Sequence, residues 1–315
     1  MHLKITQNGM QSLLVDEGRK GHQHQGYCQS GAMDEEAYWW ANFLVANPQG
    51  TPCIEVVGEL ALICALHGTI AATGRDAVLY INQQQKTPYT SYRVKEGDEI
   101  SLRSETLGSR TYLAVAGLWQ VPRHLGSACT VTREHIGGLH NNGKPLQIGD
   151  GLEITVNNDT SRVFRSRSLP EKYWPSYDLT EPLRVVEGYQ SDSFSGVAKQ
   201  VFFTSDYKVT SDISRMGYRL SGTPVQSTQD SMYSEGIHLG AIQIPKDGQP
   251  IVMMKDRQTL GGYPKIGSVT PNDLTKLAQA VPGECVSFVR EHSDNARARF
   301  LLQWQKRLRL SGDIQ

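Results

Sequence analysis

Three segments of the chain share one pattern, in which a glycine and an acidic residue interrupt a hydrophobic run before hydrophobic and polar residues begin to alternate. The segments are "VKEGDEISL" from Val94, "LQIGDGLEITV" from Leu146 and "AVPGECVSFV" from Ala280. Glycine beside an acid favours a tight turn, and alternation is typical of a strand with one buried face. The pattern therefore predicts turns that lead into half-buried strands, with Asp98 and Asp150 as turn caps.

Short apolar runs continue this pattern along the chain. Thirty glycines and 14 prolines separate runs such as "LRVVEGY", "KQVFFTS", "AIQIP" and "PIVMM", which is the spacing expected of β-barrels or sandwiches. Residues 158–182 are polar, contain prolines and lack periodicity, so they predict a linker. We therefore expect a mainly β chain with an N-terminal half over residues 1–157 and a C-terminal half over residues 183–315.

Two segments have the spacing of capped helices. "MDEEAYWWANFLVANP", from Met33, has apolar residues at helical intervals and Asp34 as candidate N-cap. "TPNDLTKLAQAVPG" places Thr270 at the N-cap, Pro271 at the first helical position and Asp273 where it closes a capping box. Both are predicted to be short helices that pack on the strands.

A third helix is predicted from residue 294 to residue 309. It carries Phe300, Leu301 and Trp304 among arginines and lysines. The simplest interpretation is a solvated basic face, and a membrane or partner role is the less favoured alternative.

Charge and cysteine content exclude several classes of protein. Lysine plus arginine and aspartate plus glutamate both number 32, so no net field attracts nucleic acid or an anionic membrane. No signal-peptide pattern and no run of roughly 20 apolar residues is present, so we expect a soluble, cytoplasmic protein.

The five cysteines show no Cys-x-x-Cys spacing, and their odd number argues against a disulfide framework. The sequence likewise predicts no metal site. Apolar surroundings predict that Cys53 and Cys64 are buried, whereas the Gly/Ser-rich surroundings of Cys28 and Cys129 leave a surface position open to them.

Candidate chemistry lies in three polar clusters on predicted turns, because no phosphate loop, hydrolase elbow, zincin or dinucleotide motif occurs. The clusters span about 55 residues, a density typical of binding loops held on a rigid β scaffold. Each residue also has a structural alternative as an ion pair, a core hydrogen bond or a cap. The candidates are Arg215, Arg219, Ser234, Glu235, His238, Gln243, Asp256, Arg257, Gln258, Thr259, Tyr263 and Lys265.

The pair Gly261 and Gly262 stands inside the last cluster, "DRQTLGGYPKIGSV". Two residues without Cβ atoms allow a loop to fold back and a small ligand to touch the backbone. Tyr263 and Lys265 would present a ring and a cation from the same turn.

Several strings in this order resemble the allophanate hydrolase subunit 2 family, also described as biotin-dependent carboxyltransferase-like. They run from Gly26 to Val289 and include "SGAMD", "YLAVAG", "RMGYRLSG", "SEGIHLGAIQIPKDGQPIV" and "DRQTLGGYPKIGSV". The resemblance implies cyclophilin-like β-barrels, and a partner that supplies the other half of a barrel pair.

The resemblance also implies a choice of activities. One is the ATP-dependent opening of the lactam 5-oxoproline to L-glutamate, together with the A and B subunits of a 5-oxoprolinase. Another is carboxyl transfer to urea or allophanate-like amides with biotin, and a third is non-enzymatic regulation through a kinase-inhibitor-like partner. No biotin-attachment sequence and no cofactor site is evident on this chain, so we expect the oxoprolinase activity, with ATP used by the complex.

Lactam opening assigns roles to the candidate residues. Lys265 would stabilise an anionic oxygen, and Asp256 or Glu235 would move a proton. Arg219 or Arg257 would anchor the substrate carboxylate. The remaining predicted substrate-binding residues are Gln243, Gly261, Gly262 and Tyr263.

Overall fold

A computed structural model describes residues 2–65, 67–155, 165–229 and 232–314. The chain divides into two compact units: unit 1 comprises Met1–Arg19, Ser30–Pro175 and Ser311–Gln315, and unit 2 comprises Lys20–Gln29 and Ser176–Leu310. Residues 158–164 of the predicted linker lie outside the described residues. The predicted fold class, mainly β with barrel halves and few helices, is confirmed.

Unit 1 contains helix α1 (Glu35–Leu44) and two sheets. The seven-stranded sheet has the order β11-β12-β1-β4-β9-β6-β7 and the five-stranded sheet the order β2-β3-β10-β5-β8. The strands are β1 (His2–Asn8), β2 (Gln11–Val15), β3 (Cys53–Val57), β4 (Glu59–Cys64), β5 (Gly68–Gly74), β6 (Ala77–Ile81), β7 (Gln84–Lys86), β8 (Ser91–Val94), β9 (Glu99–Ser104), β10 (Arg110–Val115), β11 (Leu118–Trp119) and β12 (Gly151–Thr155).

The two sheets of unit 1 share one apolar core. Leu62 and Leu102 from the seven-stranded sheet join Ile54 and Leu113 from the five-stranded sheet in one buried cluster. Alternation along β4 and β9 produces this arrangement, because every second side chain points to the same face. The half-buried strands predicted after the first two repeated turns are confirmed in β9 and β12, and the third turn leads into the two-residue strand Cys285–Val286.

The predicted caps of unit 1 are also confirmed. The Asp34 carboxylate accepts hydrogen bonds from the backbone N–H groups of Glu36 and Ala37 at the start of α1. Asp98 accepts from the N–H of Lys95, and Asp150 accepts from that of Gln147, both at 2.8 Å. These acids therefore close turns, as their position beside glycine predicts.

Unit 2 contains an eight-stranded sheet of order β21-β14-β15-β18-β17-β20-β13-β22 and a separate ribbon of β16 and β19. Only Ser287 separates the two edge strands of the larger sheet, so it curls into a nearly closed barrel. The strands are β13 (Leu183–Glu187), β14 (Tyr207–Ile213), β15 (Gly217–Gly222), β16 (Glu235–Gly236), β17 (Ala241–Gln243), β18 (Ile251–Met253), β19 (Leu260–Gly261), β20 (Lys265–Val269), β21 (Cys285–Val286) and β22 (Phe288–Arg290). The helices are α2 (Gly196–Thr204), α3 (Pro271–Ala278) and α4 (Ser293–Ile314), and the last residues of α4, from Ser311, belong to unit 1.

The strand predicted for "KQVFFTS" is wrong, because these residues lie mainly in α2. The Ser195 hydroxyl caps this helix by accepting from the N–H of Ala198 at 3.1 Å. Phe202 is fully buried and stacks on Phe288, with 4.6 Å between the ring centroids. Packing of that aromatic side chain on the barrel thus outweighs the β propensity of the run.

The capping box predicted for α3 is also wrong, although Thr270 and Pro271 occupy the expected positions. The Asp273 carboxylate accepts from the backbone N–H of Arg184 at 2.8 Å and from its guanidinium at 2.9 Å. The N–H of Thr270 donates instead to the carbonyl of Arg184. Asp273 thus takes part in a tertiary ion pair and also accepts a hydrogen bond from the Thr270 hydroxyl at 3.2 Å, but it does not bond the backbone N–H of Thr270.

Cys28 and Cys129 are buried like Cys53 and Cys64, and Cys285 is the exposed thiol among the five. Burial raises the pKa of Cys64 and of Cys129 to about 12, which disfavours the nucleophilic thiolate. Among the described residues, no group of three His, Cys, Asp or Glu side chains could hold a metal ion. The same residues include no helix that is long and apolar enough to cross a membrane.

Candidate functional site

Strand register in unit 2 places four side chains in one row across the barrel, and three of them belong to candidate residues. Arg219 on β15 lies opposite Ile251 on β18, which lies opposite Gln243 on β17, and Gln243 lies opposite Lys265 on β20. Directly opposed residues of antiparallel strands point to the same face. The adjacent residues Leu220, Val252, Ile242 and Ile266 point to the other face and are fully buried.

The ribbon of β16 and β19 covers the end of this row that carries Gln243 and Lys265. The Lys265 ammonium donates to Glu235 Oε1 at 3.1 Å, and a Cβ added at Gly261 would lie 3.0 Å from Gln243 Nε2. Gln243 and Lys265 are therefore buried although they lie on the outer side of the barrel. We call the space around Glu235, Gln243, Gly261 and Lys265 the niche.

Glu235 is held between a cation and a phenol. Its second carboxylate oxygen accepts a short hydrogen bond from the Tyr189 hydroxyl. That hydrogen bond, and then the contact with Lys265, lower the pKa of Glu235, while the same bond raises the pKa of Tyr189. Glu235 is consequently a carboxylate at neutral pH, and Tyr189 remains a hydrogen-bond donor.

Tyr189 and Gln190 border the niche and are not among the candidate residues predicted from the sequence. The Gln190 side chain accepts from the N–H of Lys265 at 2.9 Å and donates to the Tyr189 hydroxyl at 3.2 Å. It thus ties the lysine to the tyrosine. The signal for both was present in "YQSDS", a polar cluster directly after β13.

Gln243 is the most unusual member of the niche. Its amide nitrogen is buried and has no hydrogen-bond acceptor among the residues that the structure describes. A buried N–H group without an acceptor costs about 1–3 kcal/mol. Such a donor is a natural contact for an oxygen atom of a ligand.

The two neighbouring glycines serve different purposes. A Cβ at Gly261 would lie 2.5 Å from Ile237 Cδ1 as well as against Gln243, so this glycine allows both side chains to pack directly against the ribbon. A Cβ at Gly262 would lie 2.7 Å from the Met232 carbonyl oxygen, and the Gly262 carbonyl accepts from the N–H of Met232. Gly262 therefore allows two backbone segments to approach each other.

Two more polar groups lie close to the niche. The buried Arg257 guanidinium donates to the carbonyl oxygens of Ile237 at 3.1 Å and of Met254 at 3.2 Å. His238 is hydrogen-bonded to the Ser268 hydroxyl, and partial burial, followed by the charges of Arg257 and Lys265, lowers its pKa. The two cations that act on His238 make this region attractive to an anionic oxygen.

Other candidate residues are held in ion pairs. Both carboxylate oxygens of Asp256 accept from the Arg215 guanidinium, at 2.8 and 3.0 Å, and both residues are buried. The Arg219 guanidinium pairs with Asp247 at the surface, three strands from Lys265 and thus about 14 Å away. Tyr263 is exposed beside the niche.

Unit 1 has a groove of about 510 Å³ on its seven-stranded sheet. Its lining is mostly apolar or uncharged, with Glu99 as the one carboxylate and no lysine, arginine or histidine among the lining residues. A groove without cations is poorly suited to a carboxylate or to a developing oxyanion. We therefore place the candidate site at the niche in unit 2.

Replacing Gly261 by alanine is expected to reduce kcat/KM at least about tenfold, because the added methyl group crowds the Gln243 amide and displaces Ile237. The melting temperature should change little, since Ile237 meets the new Cβ with the flexible end of its side chain. Turnover assays of Gly261→Ala check this. Gly236→Ala is the matched control in the same ribbon, because its Cβ meets nothing within 4 Å; equal activity of the two variants would contradict the prediction.

His238 is expected to reduce stability at acid pH. Its folded-state pKa lies below the ordinary value of 6.5, so the unfolded chain binds a proton that the folded chain resists. Its contribution to stability is present above pH 6.5 and is lost as the pH falls towards the lower folded-state pKa. His238→Gln should therefore lose less melting temperature between pH 7 and pH 5 than the unmodified chain, as calorimetry at the two pH values will measure; an equal loss in both proteins would contradict the prediction.

Comparison with known proteins identifies the family of the domain in which the niche lies. The carboxyltransferase domain family, subdomains A and B, matches residues 25–290. The C subunit of the Escherichia coli 5-oxoprolinase is 34% identical over 292 residues, which is 91% of each chain. Its counterpart in Haemophilus influenzae is 31% identical over 277 residues, 87% of this chain and 86% of the relative.

Longer proteins contain a similar region. The urea amidolyase of Saccharomyces cerevisiae is 29% identical over 94% of this chain, but the match covers 17% of its own length. The crystal structure of the K. lactis urea amidolyase superposes on 94% of this chain with a TM-score of 0.85 at 27% identity, and this chain covers 19% of it. The chain thus spans about a fifth of these longer proteins.

Proposed function

The chain belongs to the carboxyltransferase domain family, subdomains A and B, and we propose that it is the C subunit of an ATP-dependent 5-oxoprolinase. The complex would open the lactam of 5-oxoproline to L-glutamate together with the A and B subunits. One observation carries this proposal: the match to the C subunit of the Escherichia coli 5-oxoprolinase extends over 91% of both chains. The urea-metabolising relatives, in contrast, contain this region as a small part of a longer chain.

The niche supplies groups that lactam opening requires. An attacked amide carbonyl develops negative charge on its oxygen, and preorganised donors that point at that oxygen lower the barrier. The Lys265 ammonium and the Gln243 amide N–H are two such donors, and both are buried. Glu235, held ionised by Tyr189 and Lys265, would accept a proton during the reaction.

The substrate carboxylate needs a separate cation. Arg257 is the better candidate, because it lies close enough to lower the pKa of His238 together with Lys265. Arg219 is occupied by Asp247 at a distance from the niche. Asp256 binds Arg215 through both of its oxygens, so we give it a positioning role and assign proton transfer to Glu235.

ATP would supply the activation of the carbonyl oxygen when it is bound to the complex. The sequence contains no glycine-rich phosphate loop. We therefore assign nucleotide binding to another component of the complex, and this chain contributes the groups that orient the lactam.

The decisive experiment measures glutamate release from 5-oxoproline plus ATP. This chain is mixed with the candidate A and B subunits from neighbouring genes, and each component is omitted in turn. We expect turnover in the complete mixture and none when this chain is left out. Full turnover without this chain would reject the proposal.

A second candidate function is carboxyl transfer to urea or allophanate-like amides, with biotin carried by another protein. The similarity to the yeast urea amidolyases favours it. An amide carbonyl and a carboxylated biotin would find the same donors in the niche. Carboxylation of urea by a mixture that releases no glutamate from 5-oxoproline would establish this alternative.

A further inference from the structure

Helix α4 leaves an unusual amount of apolar surface in solvent. Five large side chains are more than a third exposed: Phe300, Leu301, Leu302, Trp304 and Leu308. Of the 22 residues of the helix, only Leu310 and Ser311 are buried. Most helices of globular proteins are stabilised by packing one apolar face, and burial within this chain supplies little of that packing to α4.

The exposed apolar residues form a stripe along the helix. Phe300, Trp304 and Leu308 follow each other at intervals of four residues, and Leu301 lies beside them, so the stripe is about 12 Å long. The Arg307 guanidinium lies over the Trp304 ring, 5.5 Å from its centroid. This cation–π contact restrains the ring before any partner binds, which lowers the entropy cost of binding.

The charge of α4 limits what can cover the stripe. The helix carries five basic residues, Arg297, Arg299, Lys306, Arg307 and Arg309, against Asp294 and Asp313, and so has a net charge of +3 in a chain whose net charge is zero. Two copies of this helix side by side would bring like charges together. An acidic surface on a different protein complements it.

The family match gives an independent reason to regard α4 as an added element. The carboxyltransferase domain ends at residue 290, which is also the last residue of β22, the edge strand of the barrel. The barrel of unit 2 is thus complete before α4 begins. A long basic helix with an exposed apolar stripe after a complete domain resembles the ligand in helix-in-groove recognition.

We propose that α4 docks, through the stripe of Phe300, Leu301, Trp304 and Leu308, into an apolar groove with an acidic rim on the B subunit, the partner barrel protein. The identity of that occupant rests on the proposed function, and the docking surface itself rests on exposure and charge. Trp304 is the anchor, because large aromatic side chains at the centre of an interface contribute most of the binding energy. The basic residues around the stripe would meet the acidic rim and steer association.

The test is a calorimetric titration of the full-length chain into the purified B subunit. The double variant Trp304→Ala and Leu308→Ala should raise Kd at least about 30-fold, and its melting temperature should fall by no more than about 4 °C, because both side chains are partly exposed. The control, Leu107→Ala with Leu118→Ala, removes two exposed leucines of unit 1 and should bind like the unmodified chain.

Added salt should weaken binding of the unmodified chain. A Kd within threefold of the unmodified value for the α4 variant, or a complete lack of binding to the B subunit, would overturn the proposal.

Two further measurements separate other occupants of the stripe. If sedimentation of the chain alone shows a dimer that the α4 substitutions abolish, the occupant of the stripe is a second copy of this chain and not the B subunit. If the chain co-sediments with phosphatidylserine vesicles and the same substitutions abolish this binding, the occupant of the stripe is a membrane surface. If the mixture releases no glutamate but the chain binds the partner barrel protein tightly through α4, this inference is supported and the proposed function is rejected. If the mixture releases glutamate and the α4 variant binds as tightly as the unmodified chain, the proposed function is supported and this inference is rejected.

Discussion

Replacing Lys265 with methionine is expected to reduce kcat/KM of the reconstituted complex at least about 100-fold, the usual loss when one stabilising donor is removed from a developing oxyanion. Methionine preserves most of the buried aliphatic stem and removes the charge. The fold should tolerate the change, because Glu235 remains hydrogen-bonded to Tyr189 and is 36% exposed. The measurement is glutamate release at several concentrations of 5-oxoproline.

Lys276→Met is the matched control for this experiment. Lys276 is also a mostly buried lysine paired with a glutamate, Glu181, at the same 3.1 Å distance, but it lies on α3 away from the niche. We expect this variant to keep normal turnover and a similar melting temperature. Unchanged kcat/KM in Lys265→Met would remove Lys265 from the reaction.

The largest loss of stability is expected from Asp256→Asn. The substitution leaves the buried Arg215 guanidinium facing a neutral amide in place of the carboxylate that now accepts two of its hydrogen bonds. Removing one partner of a buried ion pair costs about 3–5 kcal/mol in the free energy of unfolding. The melting temperature should therefore fall by about 10 °C, as measured by calorimetry on the isolated chain.

Two further variants make the stability result specific. Asp247→Asn alters the pair with Arg219, which is exposed on both sides, and should change the free energy of unfolding by less than about 1 kcal/mol. Replacing Arg215 and Asp256 together by methionine and leucine should destabilise less than Asp256→Asn, because the Arg215 charge is then removed together with the carboxylate that it binds. An Asp256→Asn protein that melts like the unmodified chain would contradict the structural role of this pair.

Local rules account for much of the fold. Asp34 caps α1 and Asp98 closes its turn, because both depend on residues within four positions of each other. The strand in "LRVVEGY" and the strand after each glycine–acid turn follow from alternation over a few residues. "KQVFFTS" was misassigned because its helix depends on contact between Phe202 and Phe288, which are distant in sequence.

The candidate site, too, could be predicted only in part from the sequence. Glu235, Gln243, Gly261 and Lys265 all belong to polar clusters that the sequence predicts on turns, and the structure brings these four residues together. The sequence left open which acid is engaged by an arginine and which faces the niche. Strand register and the covering ribbon distinguish Glu235 from Asp256, and Tyr189 joins Glu235 from 46 residues away.

Residue types and their local spacing were thus sufficient for the β class, the turns and two of the helix starts, and the resemblance of several strings was sufficient for the family. Pairing between distant segments was decided only in the tertiary structure, because a buried charge takes whichever partner the folded chain brings within about 3 Å. Asp273 illustrates this: its spacing predicts a local cap, yet it binds Arg184, 89 residues away. The exposure of Trp304 on α4 has the same origin, since an apolar stripe in the sequence does not reveal whether its own chain covers it.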